Sequence, residues 1–437
     1  MKWLRTGGCS ITTPISSLRS NWLQALTRDG WLLFITRFTR LFAYGSLSLV
    51  LVFYLTGLGL TEAETGTLFT LTLLGDTVIS LYLTTRADRI GRRRMLVLGA
   101  ILMAGAGLAF AFTNNLLFLI IAGTIGVISP SGNEVGPFLP IEQAALSHIL
   151  PDHARTEVFA WYTLTGSFAT AIGSLCSGIL TQALQRNAMA PVGSYRVVVV
   201  FYAGIGFLLA LLFTRLSSAA EVNSSGEKPS AAPSKGSFLG IADSRRIVLK
   251  LSGLFAMDSF SGGFIVQSFA VYWFYLRFGA DPGTLGAIFF WANVFAGFSA
   301  LLASRLAVKF GLLRTMVFTH LPSNILLILV PLMPNLSLAV ALLLLRFSIS
   351  QMDVPTRQSY TMAVVRPEER SAAAGITGVA RTVGAAIAPS IAGYMFARPA
   401  LMNMPFFVAG TLKIIYDLLL YKEFVGIQPP EETNQRP

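Results

Sequence analysis

The residues of this 437-residue chain that could do chemistry are charged side chains set inside apolar runs. A charge facing hydrocarbon costs on the order of 3 kcal/mol or more, so each should face a partner or a water-filled cavity. Arg40 lies one helical turn from Tyr44, and Asp76 and Asp258 fall near the middle of their runs. Arg346, Ser350, Asp353 and Arg357 follow one another at helical spacing, which puts all four on one face. Arg381 stands in a later run, and Lys413 and Asp417 stand at i, i+4, where they can satisfy each other. Residues 130–140 read P-S-G-N-E-V-G-P-F-L-P, and prolines and glycines there should kink or unwind the segment and free its carbonyls beside Asn133 and Glu134. Glu134 has no helical neighbour of opposite charge, which suits a proton carrier. Asp353, flanked by Arg346 and Arg357, should stay ionised and serve the transported solute instead. Glu142, two turns beyond Glu134, is expected near the membrane surface.

Other chemistry is absent. The chain has no HExxH, P-loop or GxSxG motif and no Cys or His cluster at metal-binding spacing, so no enzyme activity, cofactor or metal is expected. His148, His153 and His320 sit near predicted segment ends and are expected to be structural or solvated. Cys9 and Cys176 are far apart and are expected to be free thiols.

The elements that must hold these charges follow from composition. Hydrophobic residues make up 54% of the chain and charged residues 12%, against about 25% charged in soluble domains. A hydrocarbon core needs about 20 apolar residues per helix. The runs give helices near 32–57, 66–85, 95–113, 116–142, 157–183, 197–215, 248–275, 283–304, 314–333, 336–358, 372–397 and 404–422. Residues 216–246 are rich in Ser, Gly, Pro, Lys and Glu and read as a flexible linker. The resulting plan is an N-terminal segment 1–31, a first bundle 32–215, the linker 216–246, a second bundle 247–423 and a tail 424–437. Residues 1–30 lack the apolar core of a secretory signal.

The two bundles look like distant copies. Pro140-Ile-Glu-Gln143 and Pro151-Asp-His-Ala-Arg155 are echoed by Pro355-Thr-Arg-Gln358 and Pro367-Glu-Glu-Arg370. Between the second and third apolar runs the chain reads T-T-R-A-D-R-I-G-R-R-R at 84–94, and Ala307, Lys309, Gly311 and Arg314 repeat part of it. Asp88, Arg89, Gly91, Arg92, Arg93 and Arg94 match the signature loop of the major facilitator superfamily, with Thr84 where that family usually has Gly. The chain therefore resembles a member of that superfamily. The resemblance implies an all-α membrane protein of twelve transmembrane helices in two six-helix pseudo-symmetric bundles, related as parallel repeats. It also implies that helices 1, 4, 7 and 10 line a central cavity, so that Arg40, Glu134, Asp258, Arg346 and Asp353 are its charges and the signature loop gates its conformations. Two motifs of the superfamily's proton-driven drug exporters are missing: helix 4 has no arginine, and G-S-F-A-T-A-I-G-S-L-C-S-G at 166–178 lacks the proline of their helix 5 pattern.

Of the 33 Lys and Arg residues, 24 fall on one side if the N-terminus is inside, four on the other and five within helices. By the positive-inside rule both termini and the linker are cytoplasmic. The basic residues orient a membrane protein, so the net charge of +12 is not a nucleic-acid signal. The expected protein is a monomeric multi-pass carrier in the plasma (inner) membrane lipid bilayer, moving a small-molecule substrate by alternating access. Proton-coupled efflux is the expected mode, because buried carboxylates can cycle protons. Import or uniport of an organic anion is the alternative favoured by Arg40, Arg346 and Arg381. Outside transport, the alternative is a receptor or sensor on the same fold.

Overall fold

The computed structural model describes residues 26–151, 155–221, 241 and 243–427. Cys9, His153 and most of the linker expected at 216–246 lie outside the described residues.

Among the described residues, twelve passes follow one another. They are α1 (Arg28–Gly57), α2 (Glu62–Ile90), α3 (Arg92–Phe112), α4 (Leu116–Ile125 and Phe138–Ile149), α5 (Arg155–Arg186) and α6 (Pro191–Phe213). The second set is α7 (Arg245–Gly263 and Gln267–Phe278), α8 (Pro282–Phe310), α9 (Leu312–Leu329), α10 (Leu336–Ser350 and Asp353–Val364), α11 (Arg370–Phe396) and α12 (Met404–Phe424). Each pass overlaps the segment read from the sequence, with ends that differ by up to seven residues. Eleven are long and apolar enough to cross a membrane as they stand, and α4 is the twelfth, its apolar piece being short because the pass is interrupted. The sequence announces that interruption with its prolines. It predicts α7 and α10 to be continuous, and both are broken, at residues 264–266 and 351–352.

Local chemistry sets the ends in matching ways in the two halves. Thr61 and Glu64 form a capping box that opens α2, and Asp281 accepts the Thr284 amide to open α8. At the other ends of these helices, Gly91 (φ 115°) and Gly311 (φ 89°) let the chain reverse into α3 and α9 without a loop. Both φ values lie where a side chain would strain the backbone, which is the physical content of the glycine in the signature loop and of its echo.

The halves are clasped on the face opposite the signature loop, called here the far side. There α2 meets α11 and α5 meets α8 through glycine. A Cβ on Gly66 would lie 2.3 Å from the Pro389 carbonyl oxygen and 2.9 Å from the Gly393 Cα, and one on Gly178 would lie 2.4 Å from the Pro282 oxygen. The Ser390 amide donates to Thr70 Oγ1 at 3.0 Å, Tyr272 donates to Glu62 at 2.7 Å and Gln182 to Asp281 at 2.7 Å. Deeper in, Ser268 Oγ donates to the Pro130 carbonyl at 2.6 Å, and Gln267 reaches Ser48 and Ser174 at 2.8 and 3.1 Å. On the signature-loop side, Gly253 of α7 and Gly375 and Gly378 of α11 have nothing within 4 Å of a Cβ position.

Candidate functional site

The interruption of α4 organises the N-terminal half. The twelve residues between its two helical pieces should expose carbonyls, but side chains take up several of them. Tyr202 donates to the Val127 oxygen at 2.5 Å, Tyr44 to Val135 at 3.2 Å, Ser129 to Asn133 at 2.7 Å and Thr170 to Gly132 at 3.3 Å. The expectation that free carbonyls line a cavity here is therefore corrected for these four, whose lost helical bonds are replaced. Asn133 contributes its backbone to this arrangement.

Glu134, freed from helical constraint, turns to α1. It accepts from Arg37 Nη1 at 2.9 Å and from Arg40 Nε at 2.8 Å. The expectation of a Glu134 without opposite charge is overturned, because its partners lie on another helix, invisible to same-helix spacing. Arg40 is fully buried, and its other two nitrogens bind both oxygens of Glu142 at 2.7 Å. Glu142 is itself fully buried, not near the surface, and also accepts from Tyr162 at 2.5 Å and Thr36 at 3.2 Å. Forked pairing of this kind is charge-assisted and fixes the geometry of both side chains. Arg40 and Glu134 thus form a closed ion cluster.

Asp76 on α2 differs. It accepts the Gly136 amide of the α4 interruption at 2.7 Å and the Ser80 hydroxyl at 3.3 Å, and among the described residues it has no ion pair. Glu134 of α4, Tyr44 of α1 and Tyr202 of α6 lie within electrostatic reach of it.

The C-terminal half repeats the plan with inverted charge. Asp258 on α7, in the place that Arg40 holds on α1, accepts from Arg357 of α10 at 2.8 Å and from Lys413 of α12 at 2.5 Å. Arg357 also pairs with Asp353 at 3.2 Å. The expectation that Arg346 and Arg357 both hold Asp353 is half corrected. Arg346 makes no ion pair with it, because the break at 351–352 interrupts the helical register between them. The expected Lys413–Asp417 pair is also corrected: Lys413 turns to Asp258, and Asp417 accepts from Asn324 at 2.9 Å and lies 2.9 Å from His320 Nδ1. His320 is buried in this network, while His148 is exposed. Arg346 and Arg381 are half-buried, and the Nε of each is buried without a hydrogen-bond partner.

At the signature loop Arg89, Arg93 and Arg94 are exposed and Arg92 is buried. Asp88 is 64% exposed and accepts from Arg92 Nε at 2.9 Å. The α3 amides that Gly91 cannot cap are taken by Glu221 from the start of the linker, which accepts Arg92 N at 2.7 Å and Arg93 N at 3.1 Å. Glu369 does the same at the start of α7, accepting the amides of Asp243 and Ser244 at 3.0 and 2.9 Å. Reading the sequence singles out none of Arg37, Glu142, Tyr162, His320 and Glu221 as a site residue. The available signal was an ionisable or aromatic polar residue in or beside an apolar run.

Two six-helix halves, clasped at one face around a buried, charged interior, define a membrane solute carrier. Comparison with known proteins agrees. The model of the Major Facilitator Superfamily matches residues 33–389 and 254–437, and the chain belongs to that family. It is 31% identical over 429 residues to the membrane protein YJR124C of Saccharomyces cerevisiae, covering 92% of this chain and 96% of that one. It is 26% identical over 137 residues to the quinolone resistance protein NorA of Staphylococcus aureus, which spans 31% of this chain and 34% of that protein. The crystal structure of the nucleoside transporter NupG superposes with a TM-score of 0.72 at 12% identity, over 90% of this chain and 99% of that one, a likeness of fold.

Proposed function

We propose that the protein is a proton-coupled secondary transporter of a small solute, with Asp76 as the proton site. The observation that carries this is the contrast among its interior carboxylates. Glu134, Glu142, Asp258 and Asp353 are held by arginine or lysine, and Asp417 by His320 and Asn324. Asp76 has neutral hydrogen-bond partners alone. A carboxylate in that setting accepts a proton more readily than one beside a guanidinium. Its bond to Gly136 ties its charge to the α4 interruption and hence to the Glu134 cluster, which gives protonation a route to conformation. The far-side clasp and the open space beside Gly253, Gly375 and Gly378 support a state open toward the signature loop.

The distribution of basic residues supports placing that loop, both termini and the linker in the cytoplasm. Cysteines engineered at Ser224 and Asn434 should then resist impermeant thiol reagents in intact cells. The partial likeness to NorA supports efflux as the direction of transport. Arg346 and Arg381, each with a buried Nε that has no hydrogen-bond partner, favour a second reading, in which solute and proton move together. The two differ in sign. In proteoliposomes screened with a solute panel, an inward proton gradient expels the solute in exchange and accumulates it in co-transport. In either case Asp76→Asn should remove the response to the gradient while solute exchange continues. A variant that still follows the gradient as the wild type does would refute the proton site.

A further inference from the structure

The C-terminal half has more cations than its carboxylates can hold. Its interior bases are Arg346, Arg357, Arg381 and Lys413, and its acids are Asp258, Asp353 and Asp417. Lys413 and Arg357 each take one oxygen of Asp258, Arg357 also takes Asp353, and Asp417 is occupied by His320 and Asn324. Among the described residues, Arg346 and Arg381 find neither an ion pair nor a hydrogen bond. Each Nε is buried without a partner, and the Arg346 guanidinium only leans over its neighbour Phe347, 5.0 Å from the ring centroid. Three more polar atoms of α10 and α12 are buried and unpartnered: Ser350 Oγ, Arg357 Nε and Tyr416 Oη. Arg346 lies just before the α10 interruption, and both Arg346 and Arg381 are within electrostatic reach of Asp258 and Asp353.

Buried donors without acceptors are rare in folded proteins, and a cluster of them calls for an acceptor. The guanidinium fork matches the two oxygens of a carboxylate or phosphoryl group. We propose that Arg346 and Arg381 bind the anionic group of the transported solute, so that the substrate class is a small organic anion. Ser350 Oγ and Tyr416 Oη, buried and unpartnered, are the hydroxyls this proposal assigns to its remaining hydrogen bonds. The inference rests on the transporter reading above and adds a consequence to it. Across both halves the interior bases are Arg37, Arg40, Arg346, Arg357, Arg381 and Lys413, and the acids are Asp76, Glu134, Glu142, Asp258, Asp353 and Asp417. Leaving His320 aside, these six bases and six acids cancel when Asp76 is ionised. Protonating Asp76 leaves one positive charge, which a monovalent anion neutralises. Anion and proton therefore favour each other's binding, which is the co-transport reading above.

The test uses the full-length protein in nanodiscs, with benzoate, succinate and phenyl phosphate as probes and benzyl alcohol and benzylamine as controls. At least one anion should raise the melting temperature, and the controls should not. The half-saturating concentration should rise at least tenfold in Arg346→Gln and in Arg381→Gln. Arg346→Lys and Arg381→Lys, which keep the charge and the fold but lose the fork, should weaken binding to an intermediate degree. Stabilisation by none of the three anions, equal stabilisation by a control, or wild-type anion binding in the arginine variants would overturn the assignment. The proton reading is scored separately by the gradient response of Asp76→Asn, so anion binding without proton coupling sinks that reading alone.

Discussion

Replacing Gly66 by alanine should tilt the balance between the two access states. The new Cβ would sit 2.3 Å from the Pro389 oxygen and 2.9 Å from the Gly393 Cα. Both atoms are backbone, so no side chain can rotate away, and α2 and α11 must separate on the far side. Overpacking of this kind costs about 1–3 kcal/mol. Charged to one conformation only, that is roughly a 5- to 150-fold shift in the equilibrium. The gain from replacing a helical glycine, about 0.5–1 kcal/mol, applies to both conformations and leaves their ratio alone. Spin labels at Thr85 and Ser371, exposed near the signature-side ends of α2 and α11, report the separation there. Gly66→Ala should populate shorter distances as the far side opens and the signature side closes. Gly178→Ala, whose Cβ meets the Pro282 oxygen at 2.4 Å, should act alike, and Gly375→Ala, with nothing within 4 Å, should leave the distribution in place. A Gly66→Ala distribution that superimposes on the wild type would refute the reasoning.

Glu142→Gln should lower stability by about 3–5 kcal/mol, because it removes the forked partner of a fully buried arginine; thermal melting in detergent reads this directly, and an unchanged midpoint would contradict it. Glu221→Ala should cost about 1–2 kcal/mol as the lost cap of α3, and should speed tryptic cleavage at Arg92–Arg94. Asp88→Asn should abolish most transport without affecting insertion. Asp88 is exposed here, and a conformation closed on this side would let it meet helix N-terminal amides of the other half, with α11 the expected donor.

The passes were legible in the sequence because a hydrocarbon solvent demands long apolar runs, and the signature loop because a buried arginine, an acid and a glycine at a reversal have few substitutes. The α4 interruption was legible from its prolines and glycines. Those of α7 and α10 were not, since Phe264-Ile265-Val266 and Gln351-Met352 carry no breaker, although Pro355 at the third position of the following helix was a hint. The pairings were misread for one reason. Spacing shows which residues share a helix face, as for Lys413 and Asp417, whereas Arg40 finds Glu134 and Glu142 across a helix interface far along the chain. The far-side glycines had a detectable signal: Gly66 and Gly286 each stand five residues after the helix caps Thr61 and Asp281.

The claim that Asp76 couples protons to conformation can be tested without knowing the solute. The distance between labels at Thr85 and Ser371 is measured in nanodiscs from acid to neutral pH, in wild type and in Asp76→Asn. The wild-type distribution should move with pH, and in Asp76→Asn it should stand still. A variant whose distribution moves with pH as the wild type's does would contradict the proton site.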